Sequence, residues 1–81
     1  MKVEDFSIAK ILDCKGLACP MPIVKISQEI SKVAVGGVIE VHTTDPGSIA
    51  DFPAWARTMG HAVLDIKQES GLIKVFVKRL K

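Results

Sequence analysis

Residues 38–44 alternate, and the two sides of the alternation differ. Ile39, Val41 and Thr43 fall on one side; Val38, Glu40 and His42 fall on the other. A strand repeats every two residues, so one face of this strand is aliphatic apart from Thr43 and the other is mixed. A sheet made of such strands needs helices on one side only. Three further stretches fit that sheet. Residues 9–13 place Ile11 beside Leu12. Residues 61–69 set Ala62, Leu64 and Ile66 against His61, Val63 and Asp65. Residues 72–80 put Ile73, Val75 and Val77 on one side, and Leu72, Phe76 and Leu80 with lysines on the other.

Between the first two strands, Ile23, Ile26, Ser27, Ile30, Val33 and Ala34 recur at helical spacing. This predicts a helix over 20–33, with Pro20 at its first position, where a missing N–H costs nothing, and the Gly36-Gly37 pair closing its end. Asp45-Pro46 starts a second helix, with Asp45 as its cap. Asp51-Phe52-Pro53 repeats the signal, and the Pro53 ring would clash with the Ile49 carbonyl in a continuous helix. The expectation is a turn over 46–50, a kink, and a main helix over 52–59 ended by Gly60. Glu69-Ser70-Gly71 reads as a hairpin turn. The resulting order, β-α-β-α-β-β, is that of an α+β two-layer sandwich: a mixed four-stranded sheet with two helices on one face, in a single domain over 1–81. Its uncovered face should expose Val38, Val63 and Phe76 as a candidate docking patch.

The 48% hydrophobic content supports a packed core. Eleven basic and nine acidic side chains leave a net charge of +2, too balanced to mark a nucleic-acid surface, so no direct nucleic-acid partner is expected. Lys74, Lys78, Arg79 and Lys81 gather at one end, which reads as a solvated edge strand. No apolar run approaches the ~18 residues of a membrane span, and the acids in Met1-Lys2-Val3-Glu4-Asp5-Phe6 do not suit a signal peptide. A cytoplasmic setting is expected, where two cysteines are more readily reactive or buried thiols than a disulfide staple.

The chemistry gathers at Cys19-Pro20-Met21-Pro22. Cys19 stands at or beside the start of the first helix, where the positive end of the helix dipole favours the thiolate, the form that attacks sulfur. Pro20 and Pro22 bring no N–H, so the helix end can meet a partner without stranding donors, and the thiolate is stabilised only moderately. Such a thiol can accept sulfur and still release it. Cys14, five positions earlier, is a strand-end core residue, a resolving thiol for Cys19, or a second sulfur holder; sequence leaves the three open. A metal site using Cys14, Cys19, His42 and His61 is disfavoured, because no Cys-x-x-Cys or His-x-x-x-His spacing prepares it. Met21 either flanks the thiol with soft apolar surface or simply packs. Lys25 and Arg57 read as solvated, Asp45 and Asp51 as helix caps, Trp55 as a core anchor, and His61 as structural.

These residues together resemble the TusA, or SirA-like, family of small sulfur-carrier proteins. The matching pieces are Leu12-Asp13, Gly16-Leu17, Cys19-Pro20-Met21-Pro22, Thr44-Asp45-Pro46, Asp51-Phe52-Pro53-Ala54-Trp55 and Gly60-His61, in order, from about residue 9 onward. The resemblance implies the same sandwich and a persulfide carried on Cys19, with no metal or organic cofactor. It also implies a sulfur donor of the cysteine desulfurase or rhodanese-like kind and a DsrE-like acceptor. Phe52 departs from the family's usual aliphatic residue. Cys14 departs too, and resembles the arrangement in members linked to oxidation of reduced sulfur compounds. Members serve tRNA thiolation, molybdenum-cofactor supply or sulfur oxidation, so the resemblance names no pathway. The rival readings are a non-catalytic protein- or RNA-interaction module and a Cys14–Cys19 redox switch.

Overall fold

The structure, a computed structural model, describes residues 8–18 and 20–81. The elements are β1 (Ile8–Cys14), α1 (Met21–Glu29) with a 3-10 extension (Ile30–Lys32), β2 (Val38–Thr43), α2 (Ser48–Met59), β3 (Ala62–Glu69) and β4 (Leu72–Lys78). They form one sheet in the order β1-β2-β4-β3. β1 and β2 are parallel, and β4 is antiparallel to both β2 and β3. The chain therefore moves one way across the sheet, and β4 folds back into the gap left between β2 and β3. Under that condition right-handed crossovers place both helices on the same face. Ile26 and Ile30 from the first helical stretch and Phe52 from α2 accordingly meet Leu12, Cys14, Ile39, Val41, Ile73, Val75 and Val77 in one core. The expected α+β sandwich with its mixed four-stranded sheet is the fold observed.

Four local expectations need correction. First, β4 is a middle strand, not an edge. Lys74 and Lys78 lie in register with His42 and Val38. Arg79 is not simply solvated: its guanidinium donates to the Ser31 and Val33 carbonyls. Its main chain pairs with the glycine turn, Gly36 N–H to Arg79 O (2.7 Å) and Arg79 N–H to Gly37 O (2.9 Å). A cation beside a helix end serves the carbonyls that the helix leaves without donors.

Second, Val63 faces the helices. A bulge between Val63 and Asp65 lets Val63 pair with Val77 and Ile66 with Val75, both against the core, while Asp65 takes its place opposite Phe76. One extra residue shifts the phase of everything after it. Third, Val38 and Phe76 are only 4% and 6% exposed, so they form no open apolar patch. In register, Val38 sits between Ile8 and Lys78, and Phe76 between Glu40 and Asp65. The Lys67 ammonium lies 5.7 Å from the Phe76 ring centroid.

Fourth, α2 runs unbroken through Pro53. Its entry is wound tightly by i→i+3 bonds from Ser48, Ile49 and Ala50 before the first i→i+4 bond, Asp51 N–H to Gly47 O (2.9 Å). Pro53 removes one bond near this end, and the wholly buried Phe52 with the nearly buried Ala56 four residues on holds the helix to the sheet. Burying a side chain as large as Phe offsets that lost bond. Gly60 ends α2 in the left-handed region (φ 81°), as its position predicts. Ser70 and Gly71 both have positive φ, the geometry of a two-residue hairpin turn.

Candidate functional site

Because β1 and β2 run in the same direction, both strand-to-helix connections leave the sheet at one end. The first connection carries the Cys-Pro-Met-Pro stretch. Hydrogen bonds among the described residues set its route, Leu17 N–H to the Cys14 carbonyl (3.2 Å) among them. Lys15 N–H donates to Asp13 Oδ1 (3.0 Å), bending the chain away from β1. Gly16, at φ 80°, donates its N–H to Thr44 Oγ1 (3.0 Å) in the second connection. Met21 N–H donates to the Ala18 carbonyl (2.9 Å). Thr44 thus ties the two loops together. Its partner is 28 residues distant, so no local pattern in the sequence points to it.

Pro20 is the N-cap of α1 (φ −98°, ψ 14°), not its first helical residue, and Pro22 stands at the second position. Cys19, one residue before that cap in the chain, lies outside the described residues. Of the first three helical positions, Met21 directs its N–H to Ala18 and Pro22 has none. Both facts reduce the main-chain donors that this turn offers an anion. Pro20, the N-cap, makes no side-chain cap hydrogen bond, and no acid occupies the first turn. Met21 and Val24 are exposed (45% and 38%), and Pro20 is exposed beside them, whereas Pro22 is buried and anchors the turn to the core.

Cys14 occupies the other side of this geometry. It is wholly buried at the end of β1, opposite Thr43, among the core side chains. Burial pushes its thiol above the ordinary value; half-buried Lys25 opposes that shift and Asp13 adds to it. It is a protonated, inaccessible thiol, the reverse of what a nucleophile needs.

The other sequence candidates are dispersed. Cys14 shares the helix-side face with Thr43, while His42 pairs with Asp13 on the opposite face, where its Nε2 lies 2.6 Å from Glu40 Oε2. His61 lies beyond the end of α2, stacked on Trp55 with ring centroids 5.6 Å apart. These three cannot converge on one metal. Trp55 is half-buried, meets Phe52 edge-on at 6.5 Å, and donates its indole N–H to Ser27 Oγ (2.9 Å), joining α2 to α1. The expected Asp45 cap is not formed: Gly47 is the N-cap of α2 and the helix has no side-chain cap, while Asp45 accepts the Gly47 N–H (3.2 Å) and so braces the turn before the helix, and Asp51 lies inside the first turn. Among the described residues, no helix is long and apolar enough to cross a membrane.

Comparison with known proteins agrees with this arrangement. Residues 10–79 match the family model described as Sulfurtransferase TusA. A Bacillus subtilis (strain 168) protein named as a candidate sulfur carrier, YrkF, is 45% identical over 69 residues; the match covers 85% of this chain but only 37% of that longer protein. The sulfur carrier protein TusA of Allochromatium vinosum is 37% identical over 68 residues, covering 84% of this chain and 90% of its own. The crystal structure of a SirA-like protein from Desulfitobacterium hafniense superposes with a TM-score of 0.77 at 22% identity, over 89% of this chain and 99% of that one, and so shares the fold.

Proposed function

The chain belongs to the TusA family, and from that premise we propose that it is a sulfur carrier that holds sulfane sulfur as a persulfide on Cys19 and passes it to an acceptor protein. The observation that carries the reading is the Cys-Pro-Met-Pro stretch at the start of a helix with a proline N-cap, no acid in its first turn and an exposed apolar rim. Transfer is nucleophilic exchange. The Cys19 thiolate attacks the outer sulfur of a donor persulfide, the donor S–S bond breaks, the donor cysteine leaves as its thiolate, and Cys19 now carries –S–SH. Atoms and charge balance, and no external oxidant or cofactor enters. Delivery is the same step with the roles exchanged.

The scaffold contributes orientation at a helix start with few main-chain donors. The exposed Pro20, Met21 and Val24 supply apolar surface for a donor of the cysteine desulfurase or rhodanese-like kind and for a DsrE-like acceptor. Cys14 serves as a core residue in this reading, since a wholly buried thiol is not available to resolve a persulfide or to form a disulfide switch without the strand end opening.

The test is intact-mass measurement after incubating the reduced protein with a persulfide donor. The expected outcome is a gain of sulfur atoms, in 32 Da steps, that reductant removes. Persistent failure to gain sulfur from several donors would return the chain to the class of non-catalytic interaction modules.

A further inference from the structure

At the end of the sheet away from the thiol loop, His61 holds a returning segment of chain. The left-handed Gly60 turns the backbone sharply out of α2, and a Cβ there would collide with the Lys81 side chain. The ring of His61 then leans on Trp55, with the planes 35° apart. Its Nδ1 accepts the Leu80 N–H (3.2 Å). In the same segment, Arg79 Nε donates to the main-chain oxygen of Lys81 (2.7 Å), and its guanidinium reaches the Ser31 and Val33 carbonyls behind α1. One histidine therefore sits where residues 79–81 are fastened to both helical stretches.

A ring nitrogen that accepts an N–H carries no proton. Protonating it sets N–H against N–H and removes the acceptor. The surroundings offer an imidazolium one compensation, the face of the Trp55 indole, against two nearby cations. α2 contributes the neutral indole of Trp55, and the returning segment contributes Arg79 and Lys81, both cations. We propose that His61 is an acid-sensitive latch: neutral, it fastens residues 79–81 against the end of α2; protonated, it releases Leu80 and loosens Arg79 from the carbonyls behind α1. Burial, together with the charges of Arg79 and Lys81, holds the imidazole below its ordinary range, as a closed latch requires. This device is independent of any sulfur chemistry at Cys19.

Amide exchange on the whole protein, corrected for the intrinsic dependence of exchange on pH, tests it. Between pH 8 and pH 5 the protection of the Leu80 amide falls, by at most about thirty-fold given an ordinary histidine value of about 6.5, while Val41 and Val75 in the sheet interior keep theirs. His61→Asn retains an acceptor that does not titrate, so Leu80 stays protected at both pH values. His61→Leu leaves it unprotected at both. Equal Leu80 protection at pH 8 and pH 5 in the wild type, or the same decline in His61→Asn, overturns the latch. Should the variants fail to fold, the wild type alone decides. The His61 ring resonances and the Leu80 amide shift must titrate with one midpoint, and two separate midpoints overturn the proposal.

Discussion

The two helix starts at the thiol end of the sheet invite comparison. Each follows a parallel strand, and each is announced by proline, Cys19-Pro20 in one and Asp45-Pro46 in the other. Neither N-cap residue makes a side-chain cap, but the turn before the second helix is braced by its own side chains. Asp45 accepts the Gly47 N–H, Thr43 Oγ1 accepts the Asp45 N–H (3.2 Å), and the Thr43 and Ser48 hydroxyls meet at 3.4 Å under the turn. The first has no acid in its first turn, where the second has Asp51, and it has exposed apolar residues around it. Hydroxyl and carboxylate acceptors tie down the turn before α2, whereas a proline is the N-cap of α1. The difference is one of residue type at equivalent places in two repeats of the same strand-to-helix connection.

Exchanging features between these ends sharpens the contrast. Cys19→Ser abolishes the sulfur adduct entirely in intact-mass measurements, while Cys14→Ser keeps it and lowers stability, because a hydroxyl enters the core; an adduct surviving Cys19→Ser would move the chemistry elsewhere. Asp45→Ala acts on stability alone, lowering it by about 1 kcal/mol, the size of one net hydrogen bond, in denaturant titration with the adduct intact. A loss of sulfur uptake there would mean the two ends are not separate in function. Pro22→Ala restores a donor to the first turn of α1. The midpoint of the alkylation rate against pH, expected below the free-thiol value of about 8.5, then falls by a few tenths of a pH unit. That is the size implied by about 0.3–1 kcal/mol for a charge at a helix start. An unchanged midpoint would show that main-chain donors do not reach the thiol.

The smallest effect concerns the far end. The fold keeps His61 less protonated than the unfolded chain does. Its contribution to stability is therefore complete above about pH 6.5 and is lost as pH falls below that value. Subtracting the His61→Asn profile from that of the wild type isolates this decline. A flat difference between pH 8 and pH 5 would remove His61 from the account.

Much of this architecture is legible in local spacing. The alternation in β2, the Gly60 cap, the Ser70-Gly71 turn and the proline-marked helix starts each follow from neighbours within a few residues. What escapes local reading depends on partners far along the chain. The bulge at Leu64 shows only against β4, because alternation continues plausibly on either phase until Val77 and Val75 select one. The middle position of β4 follows from two crossovers, not from the lysines that made it look like an edge. Locally, the clash of the Pro53 ring with the Ile49 carbonyl argues for a kink, whereas the burial of Phe52 beside it decides the helix. At the site, the Cys-Pro-Met-Pro stretch is visible at once, but Thr44 as the tie for Gly16, and Ser27 as the acceptor for Trp55, belong to tertiary structure.

The order β1-β2-β4-β3 also bears on how the protein comes into being. The strand that arrives last among those described is the one that joins the other two parts. As the chain emerges during synthesis, β1 and β2 can pair across α1, but β3 has no neighbour to join until β4 follows it. A continuous sheet forms only when the final strand inserts, so the core closes late and through contacts distant in sequence, which slows folding. Truncation within Leu72–Lys78 would not trim this sheet at its border; it would divide it down the middle.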